Sequence, residues 1–235
     1  TQLTGITVAG GNSGAGLYSQ DVYFDADLVA AGTQAVVGTV NLGTSGSRVG
    51  GAGIVLDGAT GSLSLATTVF NTNGDGIFAD GGAGGFTLTI TGGAIDTGLV
   101  AAAGSALNLS DLSADIQLTS VTYAGLDSGV LASNVTGVGT GGRALDIGTL
   151  TVASGAARGI SLGGTTNGNF SFGSASSITG TTVAGIELAN TGTGVFNYAG
   201  SVTGITAGAL VSVSNGDIGT AALTGTLSAT GGTGL

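Results

Sequence analysis

Gly159-Ile160-Ser161-Leu162, then Phe170-Ser171-Phe172, then Ile178-Thr179-Gly180: this stretch decides the fold, because it is followed at once by Gly185-Ile186-Glu187-Leu188, Phe196-Asn197-Tyr198 and Val202-Thr203-Gly204. Each piece alternates apolar with small or polar residues, the period-2 pattern of a strand that buries one face. Clusters of Gly, Asn, Asp and Ser separate the pieces and mark turns. Three short strands therefore recur in the same order, and no stretch carries a helical period.

Working outward, the opening phrase of Gly, an apolar residue, any residue and a second apolar residue returns along the chain. It stands at Gly53-Ile54-Val55-Leu56 and Gly76-Ile77-Phe78-Ala79, and more loosely at Gly98-Leu99, Gly129-Val130, Gly208-Ala209 and Gly234-Leu235. Successive starts at 53, 76, 98, 129, 159, 185, 208 and 234 are 23, 22, 31, 30, 26, 23 and 26 residues apart. Leu63-Ser64-Leu65 and Phe86-Thr87-Leu88-Thr89-Ile90 supply earlier strands of the same kind. A period of this length is the mark of a stacked repeat, in which one unit buries almost nothing and its neighbours supply the core. The fold expected is an all-β, right-handed parallel β-helix solenoid of about 8–10 rungs, each of roughly 23–26 residues with three short strands. A β-sandwich would share the turn spacing but needs recurring hairpin dipeptides and predicts no self-similarity. Residues 1–235 read as a single segment of a longer solenoid, with 17–52 and 99–158 less regular and open to loop insertions, including an extra partial turn around Arg143 to Ile147. The first strand-like residues, Leu3-Thr4-Gly5-Ile6, and the last, Gly234-Leu235, carry the pattern without a polar or helical cap, so stacking on further rungs or on another copy is expected.

The composition narrows the function. Gly contributes 50 of 235 residues, and Cys, Pro, Met, Trp and His are absent, yet 42% of the chain is hydrophobic. Disorder requires low hydrophobicity and high net charge, so this glycine serves turns and close chain approach in a folded protein. Three Arg and no Lys face 13 acids, for a net charge of −10. Phosphate backbones and anionic lipid surfaces would repel such a chain, so nucleic acid is not expected as a partner, and with no run of about 18 apolar residues neither is membrane insertion. Without Cys there are no disulfides and no thiolate metal sites.

At 178–188, Ile-Thr-Gly-Thr-Thr-Val-Ala-Gly-Ile-Glu-Leu, and at 225–235, Gly-Thr-Leu-Ser-Ala-Thr-Gly-Gly-Thr-Gly-Leu, the chain resembles the β-strand-repeat, right-handed β-helix regions of large bacterial surface proteins of the adhesin and autotransporter-passenger kind. The resemblance covers most of the chain, most closely from Gly159 onward. It implies a surface stalk or binding rod, located extracellularly or on the cell surface, and carries over no catalytic residues.

The residues themselves point away from catalysis. Without His or Lys, neither a Ser-His nor a Ser-Lys nucleophile can be built. The Gly-His-Gly and Arg-x-Lys of polygalacturonase-like β-helices are missing, and a lyase base would have to come from Arg48, Arg143 or Arg158. Two acidic groups are weak calcium candidates, since hard cations choose clustered oxygens: Asp21, Asp25 and Asp27 in one, and Asp75 and Asp80 in the other. The second group, Asn73-Gly74-Asp75-Gly76-Ile77-Phe78-Ala79-Asp80-Gly81-Gly82, resembles a single degenerate calcium nonapeptide of β-roll proteins, which needs tandem copies. A solvated loop and a plain turn are the expected readings of the two. Outward Thr87 and Thr89 suggest an ice-binding ladder, but Ser161, Ser171, Asn197 and Glu187 at like positions break its regularity. Tyr18, Tyr23, Tyr123 and Tyr198 are the aromatics that could stack on sugars, with Tyr198 expected inside.

The function expected is a non-catalytic structural or adhesive rod without cofactor, self-associating or continuing into more of the same solenoid, and meeting surface glycans or proteins. The alternative is a carbohydrate-binding or carbohydrate-active β-helix.

Overall fold

A computed structural model describes residues 2–3, 6–8, 20–25, 33–82, 85–98, 104–190, 192–204, 208–214 and 219–231, with side chains from residue 38 onward except Asn190. All strand pairs inside the ladders are parallel, with the register shifting only between Val36 and Thr39 and between Arg143 and Leu145, and they stack into a β-solenoid of about seven turns. One face is an eight-stranded sheet: Gln20–Asp25, Ala52–Asp57, Ile77–Asp80, Leu107–Ser110, Ser128–Ser133, Arg158–Gly164, Ala184–Asn190 and Ala209–Val213. The other two faces merge into one 15-stranded sheet, because Thr33–Leu42, Gly61–Thr72, Ser113–Tyr123 and Arg143–Val152 run unbroken around the corner between them. Elsewhere that corner interrupts the strand, as between Asn169–Phe172 and Ser177–Thr179. At the usual strand separation of about 4.8 Å, seven turns span roughly 35 Å.

Stacking places like on like inside. Up the eight-stranded face, Ile54, Ile77, Leu107, Val130, Ile160, Ile186 and Val211 are register partners. All are buried, and they join one continuous core with the other two faces. The second face contributes Leu65, Ile90, Ile116, Leu145, Phe170 and Phe196 in one column. Phe172 packs between rungs, its ring centroid 5.8 Å from Phe196 and 6.0 Å from Tyr198. The interior is side chain throughout, so each rung is stable only against its neighbours.

The recurring glycine has a specific cause. Gly53, Gly76, Gly129, Gly159 and Gly185 each directly precede the inner-column residue of a strand of the eight-stranded face and are buried. None has positive φ. A Cβ on Gly76 would lie 2.5 Å from the Ala106 carbonyl oxygen, and one on Gly159 would lie 2.6 Å from the Gly185 oxygen and 2.6 Å from Ile178 Cδ1. The residue is small because the next rung and the opposite face leave no room.

The register corrects two of the expected copies. Leu107 pairs with Ile77 and Val211 with Ile186, so Ala106 and Leu210 occupy the glycine column. Gly98 instead follows the third-face strand Gly93–Thr97, against the Arg48 side chain. Gly208 precedes Ala209, whose partner is Ala184 rather than Ile186. Inner-column residues 54, 77, 107, 130, 160, 186 and 211 are thus 23, 30, 23, 30, 26 and 25 apart. Nor does Arg143 to Ile147 form an extra partial turn. It opens the strand Arg143–Val152, with a one-residue register shift between Arg143 and Leu145, and most of the added residues lie just before it, around the 3-10 turn Thr140–Gly142.

Candidate functional site

Both edges of the eight-stranded face gather the polar chemistry. At its leading edge, Asp75 comes from the turn before Ile77 and Asp127 from the turn before Ser128, two rungs away. Between them Ser105 donates its backbone N–H to Asp75 Oδ1 at 2.5 Å and its hydroxyl to Asp127 Oδ2 at 3.3 Å. Ser128 Oγ donates to Asp127 Oδ1 at 3.2 Å. The buried Tyr123 closes the network, donating to the Gly104 carbonyl at 2.5 Å and accepting the Asp127 N–H at 2.7 Å. Burial first, and then the Asp127 charge, push the Asp75 carboxyl up to about 6 against the opposing pull of the Ser105 N–H. Burial likewise pushes the Tyr123 phenol up to about 12.

At the trailing edge each rung must turn out of the face, and several do so in the left-handed region: Gly58 at φ 62°, Asp111 at 52°, Asn134 at 54° and Gly164 at 62°. Asn and Asp are the non-glycine residues that tolerate this conformation. Asn134 links three rungs, donating to Asp111 Oδ1 at 2.9 Å and accepting the Thr165 N–H at 2.8 Å. Asp80, Gly81, Gly82, Gly85, Asp111 and Asn134 border an open cleft of about 430 Å³. Desolvation, then the charges of Asp111 and Asp57, hold the Asp80 carboxyl above the ordinary carboxylate range.

The acids named from sequence are distributed as follows. Asp21 and Asp25 lie in the strand Gln20–Asp25, where Asp25 is the register partner of Asp57. Asp27 lies outside the described residues. Asp75 and Asp80 fall at opposite edges of the face, the first bonded to Ser105 and the second beside Ser110, so the nonapeptide-like stretch does not converge on a point. Among the described residues no group of three or more acids is arranged to hold a metal ion.

All three Arg pair with acids of their own chain: Arg48 with Asp96 at 2.7 Å, Arg143 with Asp115 at 2.7 Å, and Arg158 with Glu187. Ser161 is on the outer side of its strand, as its alternation with Ile160 and Leu162 requires, but it is only 9% exposed and donates to Glu187 Oε2. The Thr89 column continues into Asp115, which interrupts the hydroxyl array. Tyr123 and Tyr198 are interior, the latter donating to the Ser201 carbonyl. Tyr18 lies outside the described residues, and Tyr23 is the register partner of Val55.

One aromatic was missed in the sequence. Phe78 alternates with the buried Ile77 and Ala79 and therefore stands on the outer side of its strand, half-buried. The apolar-x-apolar phrase around it was the available signal. Comparison of the chain with protein-family models, curated proteins and solved structures returns no match.

Proposed function

We propose that the chain is a non-catalytic structural or adhesive rod of a secreted or cell-surface protein of the adhesin-like class. The observation that carries this reading is the register itself: one apolar column runs unbroken through seven successive strands from Ile54 to Val211, which makes a stiff spacer. The cationic side chains are spent on rung-to-rung ion pairs. Further rungs, from the same polypeptide or another copy, would cover Val213, which is 61% exposed although it pairs with the buried Leu188. The test displays the chain on a bacterial surface and measures adhesion to glycan- and protein-coated supports against a bare strain, with scattering in solution to measure rod length. Absence of adhesion together with a compact, non-extended particle would refute the reading.

A carbohydrate-active β-helix is the second reading, favoured by the Asp75 and Asp127 carboxylates around Ser105, the first pushed by burial up to about 6. Against it, the Tyr123 hydroxyl and the Asp75 oxygen already have internal partners. Turnover of pectin, alginate or a glycan panel that is abolished by Asp75→Asn would establish it.

A further inference from the structure

We propose that the outer surface of the eight-stranded face, over the rungs from Ala52 to Ser133, docks a basic, apolar polypeptide segment. Strand alternation builds the surface. With Ile54 and Leu56 inside, Asp57 and, at only 8% exposure, Val55 take outer positions; with Ile77 and Ala79 inside, Phe78 and Asp80 do; with Val130 and Ala132 inside, Leu131 does. Register then aligns Val55, Phe78, Asn108 and Leu131 in one column up the rod. Three of these four outer residues are apolar.

A carboxylate lies beside that column at nearly every step. Asp57 and Asp80 stand on the outer side two residues further along their strands, Asp111 closes the next rung, and Asp75 and Asp127 hold the opposite edge. Leu126, 56% exposed, adds apolar surface next to Asp127. None of these five acids has a cation from its own chain among the described residues, because Arg48, Arg143 and Arg158 are committed to Asp96, Asp115 and Glu187. Desolvation first, and then the charges of Asp111 and Asp57, hold the Asp80 carboxyl above its ordinary range, and an arriving cation would offset the like-charge part of that cost.

The chemistry selects the occupant. A second copy of the chain also carries −10, has no Lys, and so repels at this face. Nucleic acid and anionic lipid are repelled for the same reason, and a neutral glycan leaves the carboxylates uncompensated. Lys or Arg alternating with aliphatic residues meets both columns, with charge complementarity setting approach and register. This holds whether or not the rod is displayed on a cell, so its failure would leave the rod reading standing.

Titration of fluorescein-labelled peptides of alternating Lys and Leu, of Lys and Gly, and of Glu and Leu, followed by anisotropy, tests it. The Lys/Leu peptide should bind best, and more weakly as salt rises. Phe78→Ser should weaken it by about tenfold, as truncation of a central apolar anchor does, and so should the combination Asp57→Asn, Asp80→Asn and Asp111→Asn. Glu187→Gln and Asp146→Asn, away from the surface, should leave it unchanged. Thermal melts check that each variant folds, and the Asn combination decides the matter if Phe78→Ser does not. No binding, equal binding by all folded variants, or preference for a neutral oligosaccharide over the Lys/Leu peptide would overturn the proposal.

Discussion

Up the inner side of the eight-stranded face the register reads Ile54, Ile77, Leu107, Val130, Ile160, Ile186, Val211; one residue on, up its outer side, it reads Val55, Phe78, Asn108, Leu131, Ser161, Glu187, Ser212. The inner column repeats one kind of side chain because each is packed above and below by its own equivalent and has no other environment. The outer column changes along the rod: mostly apolar, with acids that no Arg neutralises beside it, in the first half, and hydroxyl and ion pair in the second. Stacking disciplines only what faces inward, and the outside of the same strands is where a solenoid can differ from rung to rung.

The largest expected effect breaks the inner column. Ile160→Asp buries a carboxylate without a partner between Val130 and Ile186, and should cost about 4 kcal/mol or more. Ser161→Asp, one residue along, brings a second carboxylate against Glu187 but leaves the core intact, and should cost about 1 kcal/mol. Chemical denaturation of the two variants checks the contrast, and equal losses would refute the assigned inner and outer sides.

Next comes the glycine column. Gly159→Ala forces a Cβ against the Gly185 carbonyl and Ile178 and should cost about 1–3 kcal/mol. Gly155→Ala, at φ 105° in an open turn, tests backbone strain in isolation, since its Cβ would meet nothing within 4 Å. If Gly159→Ala proved as stable as the parent chain, close approach would be the wrong reason for that glycine.

A smaller effect appears on titration. Because the folded Asp75 carboxyl is raised to about 6 from 3.8, the native state binds a proton that the unfolded chain does not hold between those values. Its contribution to stability therefore grows as pH falls from 7 toward 4, and is lost as pH rises through 6. Asp75→Asn should raise the melting temperature at pH 7 and flatten its rise on acidification, relative to the parent chain. A parallel pH profile for the two proteins would contradict this.

The smallest effects are expected outside. Glu187→Gln breaks the partly exposed pair with Arg158 and should cost less than about 1 kcal/mol. Phe78→Ser should lie within about 0.5 kcal/mol of the parent in urea denaturation, since the side chain covers outer surface rather than core. A large loss there would show that Phe78 supports the fold and is not a free surface group.

Period-2 alternation and the recurring Gly-apolar phrase determined the fold class from sequence, because burial of one strand face and the stacking of equivalent rungs are both local and periodic. Ile160, Leu162, Phe170, Phe172, Phe196 and Tyr198 were legible as core for that reason. Register was not: Gly98 and Gly208 imitate the motif, while Ala106 and Leu210 fill its column, and only the paired backbones distinguish them. The polar sites were hidden more deeply. Asp75, Ser105 and Asp127 are 52 residues apart from first to last, and Arg143 finds Asp115 28 residues back, because the solenoid returns the chain to the same corner once per turn. Tertiary structure alone decided which acids are paired, which edge each occupies and that Phe78 faces outward among carboxylates. Those outcomes depend on lateral neighbours one or two rungs away, and a linear pattern records only that a residue is turned in or out.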